Sequence, residues 1–349
     1  MNKALALAIF LLTVPTYAQS LGNAGTIEGT VVDPSAASVP KATVTLTNAV
    51  TGYKQTVESD SNGAFRLTNI PPNTYHVTVT APGFSPFAQD LPIRSSVPVV
   101  LKAILPVAAA ESSVTVEASG AAVETDPSAH VDVDRTSFQR LPETTPGGGL
   151  ADAITYSTGA VAADANGSFH PSGDHAQVSY VIDGQLISDQ QSKIFSTALP
   201  TSAIQSMELI TGSPGAEFGD KTSLVAEVTT RSGLGAGKVF GDIDTSYGSF
   251  GTGGGGFGIG FGNTKVGNFL AVDGLRSGRF LDSPEFVPYH DIGNNQTIFD
   301  RGDYQPTGKD VIHLNLFAAR NWIEIPNDLD QLAQDQKQRV LTWNIAPGY

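Results

Sequence analysis

A two-residue period runs through most of the chain. Within residues 26–32, Ile27 and Val31 fall on one face, and Val44 and Leu46 alternate with Thr43, Thr45 and Thr47. Phe65 and Leu67 flank Arg66, while Tyr75, Val77 and Val79 alternate with His76, Thr78 and Thr80. Turn formers separate these runs: Asp33-Pro34, Asn62-Gly63, Pro71-Pro72-Asn73 and Pro82-Gly83. One apolar and one wet face per strand predicts a small antiparallel β-sandwich over residues 24–107.

The pattern changes after an Ala-rich linker at residues 106–110. Residues 111–118 open a new unit with an extended segment. Residues 136–141 form a helical turn stopped by Pro142, and a second short helix starts at Leu150. Residues 177–182 form a strand, Asp183-Gly184 a tight turn, and residues 185–187 the return. Pro200 and Ser202 start a brief helix that leads into the strand 207–210, and residues 223–230 are one more strand. Strands mixed with short helices predict a compact α+β unit over residues 111–233.

From residue 235 the period of two returns in longer segments. Val239, Gly241, Ile243, Thr245 and Tyr247 form one side, and Phe240, Asp242, Asp244, Ser246 and Gly248 the other. The stretch GTGGGGFGIGFGN at residues 251–263 spells G-x-G-x-x-G twice. A phosphate-cradling loop needs a helix after it, and here Phe257, Ile259 and Phe261 alternate with glycines. The stretch therefore reads as a strand whose glycine face is kept empty so that another folded segment can lie against it. Residues 266–273 follow as a strand. Ile312, Leu314, Leu316 and Ala318 are set against His313, Asn315 and Arg320, and Leu341, Trp343 and Ile345 against Thr342 and Asn344. Apolar-out, polar-in alternation in segments of about ten residues is the signature of a transmembrane β-barrel. Residues 281–309, with Pro284, Pro288, Asn294 and Asn295, are expected to form a long polar loop on the extracellular side. Its Arg301-Gly302-Asp303 is read as a chance tripeptide rather than an integrin motif.

Composition narrows the setting. A net charge of −14 over 349 residues excludes nucleic acid as a natural partner. The absence of cysteine removes disulfides and thiolate metal sites and suits an oxidising compartment. Lys3, an apolar run over residues 4–14, Pro15 and the small Ala18 describe a secretory signal peptide spanning residues 1–18. The apolar run is too short to cross a bilayer.

Several phrases resemble known families. GTVVDPSAASVPKATVTLTN and SDSNGAFRLTNIPPNTYHVTVTAPGF resemble the carboxypeptidase regulatory-like domain, which implies a transthyretin-like, carbohydrate-binding-like β-sandwich. The phrases VTVEA (114–118), RLPE (140–143), SYVIDGQLI (179–187), AIQSMELITGSPGAEFGD (203–220) and VTTRSG (228–233) resemble the plug domain of TonB-dependent outer-membrane receptors. Asp183, Gly184, Gly212, Ala216, Glu217, Gly219 and Gly233 stand at the positions of the plug motif. Leu224-Val225-Ala226 departs from the glycines usual there. Residues 235–349 resemble the Oar-like barrel of the same receptors, notably in SGRFLDSPEF. The resemblance implies a mainly β chain made of an N-terminal sandwich, an α+β plug and the first few strands of an outer-membrane barrel. It also implies a TonB box at Ser113, Val114, Thr115, Val116 and Glu117. An extended segment can add to a partner's sheet edge, and the same residues can equally be the first strand of the plug.

The implied function is import of a small solute or glycan across the outer membrane, with TonB as partner, no catalytic residue and no cofactor. Roughly five strands after residue 234 fall short of the 22 or so with which such transporters close, so a truncated or split product is expected. The alternative is a secreted or periplasmic carbohydrate-binding protein. An enzyme is disfavoured, because H-x-x-E, H-E-x-x-H and G-x-S-x-G patterns are absent. His170, Asp174 and His175 lie in a polar loop suited to meeting substrate. Their loose spacing argues against a metal site. Asp60-Ser61-Asn62-Gly63 reads as a hairpin turn rather than a calcium loop.

Overall fold

The computed structural model describes residues 25–48, 53–71, 73–93, 98–107, 129–138, 140, 149–157, 161–163, 169–171, 178–187, 199–212, 214, 218, 224–281, 286–287, 289–306 and 310–349. The fold is mainly β. The first seven strands are β1 (Gly25–Val32), β2 (Thr43–Thr47), β3 (Lys54–Glu58), β4 (Ala64–Ile70), β5 (Asn73–Thr80), β6 (Phe87–Ile93) and β7 (Val99–Ile104). They build a sandwich from two sheets, ordered β4-β1-β7 and β3-β2-β5-β6. The alternating apolar positions meet between the sheets: Ile27, Val31, Val44, Leu46, Leu67 and Val77 are fully buried. The sandwich departs from pure antiparallel pairing in one place. The chain crosses from β6 in one sheet to β7 in the other, and β7 enters parallel to β1.

The Asp60–Gly63 segment is a tight turn. Asp60 Oδ1 accepts the N–H groups of Asn62 at 2.8 Å and Ala64 at 2.9 Å. Gly63 has a φ of 73°, and a Cβ there would sit 2.4 Å from the Val31 carbonyl oxygen. Both its conformation and its close approach require glycine.

A second layer combines β8 (Ala129–Asp134), a helical turn at Arg135–Phe138, the helix Leu150–Ser157, the short pair β9 (Val161–Ala163) and β10 (Phe169–Pro171), β11 (Val178–Ile182), β12 (Gln185–Ile187), a 3-10 turn at Thr201–Ala203, β13 (Ile204–Gly212) and β14 (Leu224–Thr230). Five of these strands form a mixed sheet in the order β12-β11-β14-β13-β8. The helix buries Leu150, Ala151, Ala153 and Ile154, the stripe expected at helical spacing. β14 is buried along its whole length, as a central strand covered on both faces should be.

The last six strands are β15 (Phe240–Tyr247), β16 (Gly253–Gly262), β17 (Val266–Ser277), β18 (Gly293–Tyr304), β19 (Ile312–Glu324) and β20 (Lys337–Gly348). Each pairs antiparallel with the next, giving a six-stranded meander whose edges β15 and β20 have no further partner among the described residues. Two expectations are corrected here. The described residues form six strands where roughly five were expected, and residues 281–309 are not one loop, because β18 occupies their centre. β18 escapes a periodicity reading because both of its faces are largely polar. Asn295, Thr297, Arg301 and Asp303 are buried on one face, while Asn294, Gln296 and Asp300 share the other with Ile298. Arg320 is also corrected: it lies on the same face as Leu314, Leu316 and Ala318, where it bonds Asn294 and Gln296.

In this sheet the alternation is turned inside out. Trp343 is 74% exposed, Ile345 59% and Phe261 48% on the outer face. The inner face packs against the five-stranded sheet, so Phe269, Ala271 and Phe299 share one core with Leu150, Ile154, Met207, Leu209 and Val228. No helix among the described residues is long and apolar enough to cross a membrane, which says nothing about strands.

Candidate functional site

The most organised polar chemistry lies where the five-stranded layer meets the six-stranded wall. Asp183 and Gly184 form the two-residue turn between β11 and β12, with φ values of 48° and 80°. Positive φ at both positions matches the twist of the flanking strands. The turn carries the Asp183 side chain into the interface, where it is 4% exposed. Its Oδ1 accepts the Thr230 N–H at 2.9 Å and its Oδ2 the Thr230 hydroxyl at 2.6 Å. Asn315 Nδ2, from β19, donates to the same carboxylate.

Arg301 approaches Asp183 from β18. Its Nη1 lies 3.0 Å from Asp183 Oδ1, and its Nε lies 3.0 Å from Asp303 Oδ1. Nη1 also donates to Thr230 Oγ1 at 3.0 Å. Asp303 Oδ2 in turn accepts the Ser232 hydroxyl at 2.6 Å. Arg301 and both acids are almost wholly buried. A lone guanidinium at such depth would be prohibitive, whereas one flanked by two carboxylates with further donors satisfying them is sustainable.

A second clamp joins the same two layers. Asp242 of β15 accepts from Arg231 Nη1 at 2.6 Å and from Arg135 Nη2 at 3.1 Å. Arg135 Nη1 reaches the Thr201 carbonyl at 2.6 Å, and Arg231 Nη1 the Ser202 carbonyl at 3.0 Å. The Ser202 hydroxyl donates to Asp273 of β17 at 2.7 Å. The Arg231 guanidinium lies 4.3 Å from the Phe269 ring centroid, within cation–π range. Burial lowers the affinity of both Arg135 and Arg231 for their protons. The two arginines repel at Arg135, and Asp242 opposes the effect at each. With reference values this high, both stay charged at any ordinary pH.

Glycine makes the contact close. A Cβ on Gly258 would stand 2.9 Å from Arg231 Nη1 and 3.0 Å from Phe269 Cζ, and one on Gly262 2.4 Å from the Gly233 carbonyl oxygen. On the other side, a Cβ on Gly233 would fall 2.3 Å from the carbonyl oxygens of both Asn268 and Phe261. The bare face of the glycine-rich strand is thus the surface on which the segment after β14 rests.

The remaining expected site residues are scattered. Gly212 ends β13, and His170, expected in a loop, is corrected to the strand β10, where it pairs with Ala162 of β9. Ala216, Glu217, Gly219, Asp174, His175, residues 113–117 and residues 1–18 lie outside the described residues. Among the described residues, one group has metal-ligand spacing. Donor atoms of His130, Asp132 and Glu208 lie within 4.8 Å of one another, on the sheet face opposite Val133, Met207 and Leu209. A cleft of about 740 Å³ separates this sheet from the sandwich, lined by Tyr53, Gln55, Asn69, Asp132, Arg135 and Glu208 among others. Across it, Asn69 Nδ2 donates to the Thr230 carbonyl at 3.3 Å. Sequence reasoning marked Asp183 through its turn, met Arg301 and Asp303 only as a chance tripeptide and Asn315 and Asp242 only as polar-side positions, and did not mark Arg135.

Residues 26–106 match the carboxypeptidase regulatory-like domain. The chain is similar to the TonB-dependent transporter Oar of Myxococcus xanthus, with 30% identity over 234 residues. The aligned region is 62% of this chain but 21% of that protein, so the chain spans about a fifth of its curated relative. Among solved structures, a mutant of the ferric enterobactin receptor PfeA of Pseudomonas aeruginosa aligns with a TM-score of 0.46 and 11% identity, over 62% of this chain and 38% of that one. The siderophore receptor PirA of Acinetobacter baumannii aligns at 0.43 and 15%, over 55% and 31%. At these scores the structural likenesses carry no argument of their own. The resemblance to Oar-like TonB-dependent receptors bearing an N-terminal carboxypeptidase regulatory-like domain is met by the family and sequence comparisons together.

Proposed function

We propose that this chain belongs to a solute-importing TonB-dependent receptor of the outer membrane. Residues 111–233 act as the plug and residues 235–349 supply barrel wall. Residues 24–107 are an accessory sandwich, and residues 1–18 direct export. The single observation that carries this reading is the inverted polarity of the six-stranded sheet. Its outer face presents Phe257, Ile259, Leu316, Trp343 and Ile345, while its inner face lays glycine, asparagine and the Arg301 network against a folded layer. A water-soluble sheet places those sets the other way round.

On this reading the two clamps seat the plug against the wall. Asp183 and Arg301 form one attachment, and Asp242 with Arg135 and Arg231 the other. Transport requires the plug to shift under a pull from TonB, for which residues 113–117 are the candidate handle. Hydrocarbon does not tolerate the unpaired edges of β15 and β20, so the working barrel needs strands beyond the six described. The solute, a small molecule or glycan, meets the plug loops and the outer loops, with His170, Asp174 and His175 as candidates. Uptake into cells carrying the complete locus, with and without TonB, tests the proposal. TonB-dependent accumulation of a solute and recovery in the outer-membrane fraction are expected. A protein monodisperse in plain buffer, without detergent, would sink it.

A further inference from the structure

Among the described residues β8 is an edge strand of the five-stranded sheet, with β13 as its neighbour. Parity divides the side chains of this pair. Val133, Met207 and Leu209 point into the core shared with the wall, so His130, Asp132 and Glu208 stand on the opposite face. Asp132 and Glu208 are direct register partners, while His130, two residues before Asp132, pairs with Ile210. His130 is therefore diagonal to Glu208, a span that long and aromatic side chains can cross. One imidazole nitrogen and one oxygen from each carboxylate lie within 4.8 Å of one another.

Two features set this group apart from a solvated patch of acids. One donor is an imidazole, a metal ligand in its neutral form. Glu208 is also 7% exposed, and its register partner on β14, Glu227, is buried at 8%. Carboxylates opposite one another on neighbouring strands repel, and burial adds to the cost of their charge. A divalent cation between Asp132 and Glu208 offsets both. On a tetrahedral ion with bonds of about 2.0–2.1 Å, donors stand roughly 3.3 Å apart, so small side-chain rotations close these three onto one centre. The cleft of about 740 Å³ between this sheet and the sandwich includes Asp132 and Glu208 in its lining and gives an ion its way in. One imidazole with two carboxylates suits Zn²⁺ better than Ca²⁺ or Mg²⁺, which take more oxygen ligands, and leaves a fourth position to water.

We propose that His130, Asp132 and Glu208 bind a divalent transition-metal ion of the Zn²⁺ type, which fastens the edge strand β8 to β13 beside the cleft. The site stands whether or not the six-stranded wall meets lipid. Equilibrium dialysis of the full chain against micromolar Zn²⁺, with bound metal counted by mass spectrometry, tests it. The wild type should take up Zn²⁺ at a site that His130→Ala and Glu208→Gln each weaken at least about tenfold, a loss that even removal of a ligand's outer partner can cause. His76→Ala, which removes an imidazole paired with Asp90 at 2.7 Å, should bind as the wild type does. Zn²⁺ should raise the unfolding temperature of the wild type and leave that of His130→Ala unmoved. Zinc K-edge absorption should show one imidazole among oxygen donors. No uptake by the wild type overturns the site, as does unchanged affinity in His130→Ala or an equal loss in His76→Ala. Ca²⁺ bound as tightly as Zn²⁺ overturns it too, because the imidazole would then have no part. If Glu208→Gln fails to fold, His130→Ala and Asp132→Asn, both on the edge strand, carry the test with the same readout.

Discussion

In the sandwich, Leu46 and Val77 are register partners, both fully buried between two sheets. In the six-stranded sheet, Leu316 and Ile345 are register partners too, yet both are exposed. The period and the type of residue are the same, and only the sign differs. What separates the regions is the other face. Thr45 and Thr78 beside the sandwich pair look into solvent, while Asn315 and Arg301 of the wall look into a folded layer. A strand with one apolar and one polar face does not say which is inside. That is decided by what lies against the polar face, and here it is a layer carrying matched charges.

The largest effect should come from breaking that match. Arg301→Ala leaves Asp183 and Asp303 buried without their cation, and removing one member of a buried ion pair costs about 3–5 kcal/mol. Chemical unfolding of the detergent-extracted protein measures it. Combining Arg301→Met with Asp183→Asn and Asp303→Asn should recover a large part of the loss, because no buried charge then stands alone. A loss below about 1 kcal/mol for Arg301→Ala, the range of surface pairs, would mean that the wall and the layer do not depend on this contact.

The corresponding cut in the sandwich removes hydrocarbon rather than charge. Leu67 is fully buried in that core, and Leu67→Ala should cost about 2–5 kcal/mol through lost transfer and the cavity left behind. Its signature differs from that of Arg301→Ala, since it should be insensitive to membrane mimetic. An Arg301 defect should vary with how well detergent supports the wall. Equal dependence of the two on detergent would erase the distinction between a dry core and a charged interface.

A third substitution reads the sign of the alternation itself. Leu316 lies on the outer face of β19 and is 38% exposed. Leu316→Arg should cost about 2–4 kcal/mol if that face meets hydrocarbon near its midplane. A surface position in water would register within about 0.5 kcal/mol of zero. The measurement is refolding stability in lipid vesicles, and a null result would turn the sheet back into an ordinary soluble one.

How far these contrasts could be read from sequence depends on the same issue of sign. The sandwich was legible because its polar faces are threonines and lysines that want only water. The glycine strand was legible as a strand because Phe257, Ile259 and Phe261 keep register. The identity of its bare-face partner, the segment around Gly233, is a long-range contact that no local pattern encodes. β18 was hidden because its inner face is chosen for the opposing layer and its outer face carries the polar end of the wall. Parity offered one clue. Arg301 and Asp303 share odd numbering with Thr297 and Phe299, opposite Ile298 and Tyr304, which is strand spacing across the supposed loop. Asp183 was found through its turn chemistry, but its charged partner lies 118 residues away. Only the fold brings the two together.

The smallest effect belongs to the sandwich surface and shows what a satisfied but exposed carboxylate does. Asp33 Oδ1 accepts the Ser35 hydroxyl at 2.7 Å and the N–H groups of Ser35 and Ala37, each at 2.8 Å. The Ser35 hydroxyl bond first, then the Ala37 N–H, hold its pKa below the reference 3.8. Because the folded value is depressed, the carboxylate's contribution is present above the unfolded pKa. It is lost as pH falls through the folded one, so the window lies below about pH 4. Ser35→Ala should move the Asp33 titration seen by NMR upward toward the reference. At neutral pH it should leave unfolding nearly unchanged, in contrast to Arg301→Ala, whose cost persists wherever Asp183 and Asp303 are ionised. A midpoint for Asp33 unmoved by Ser35→Ala would show that solvent, rather than the turn, sets the proton affinity of this carboxylate.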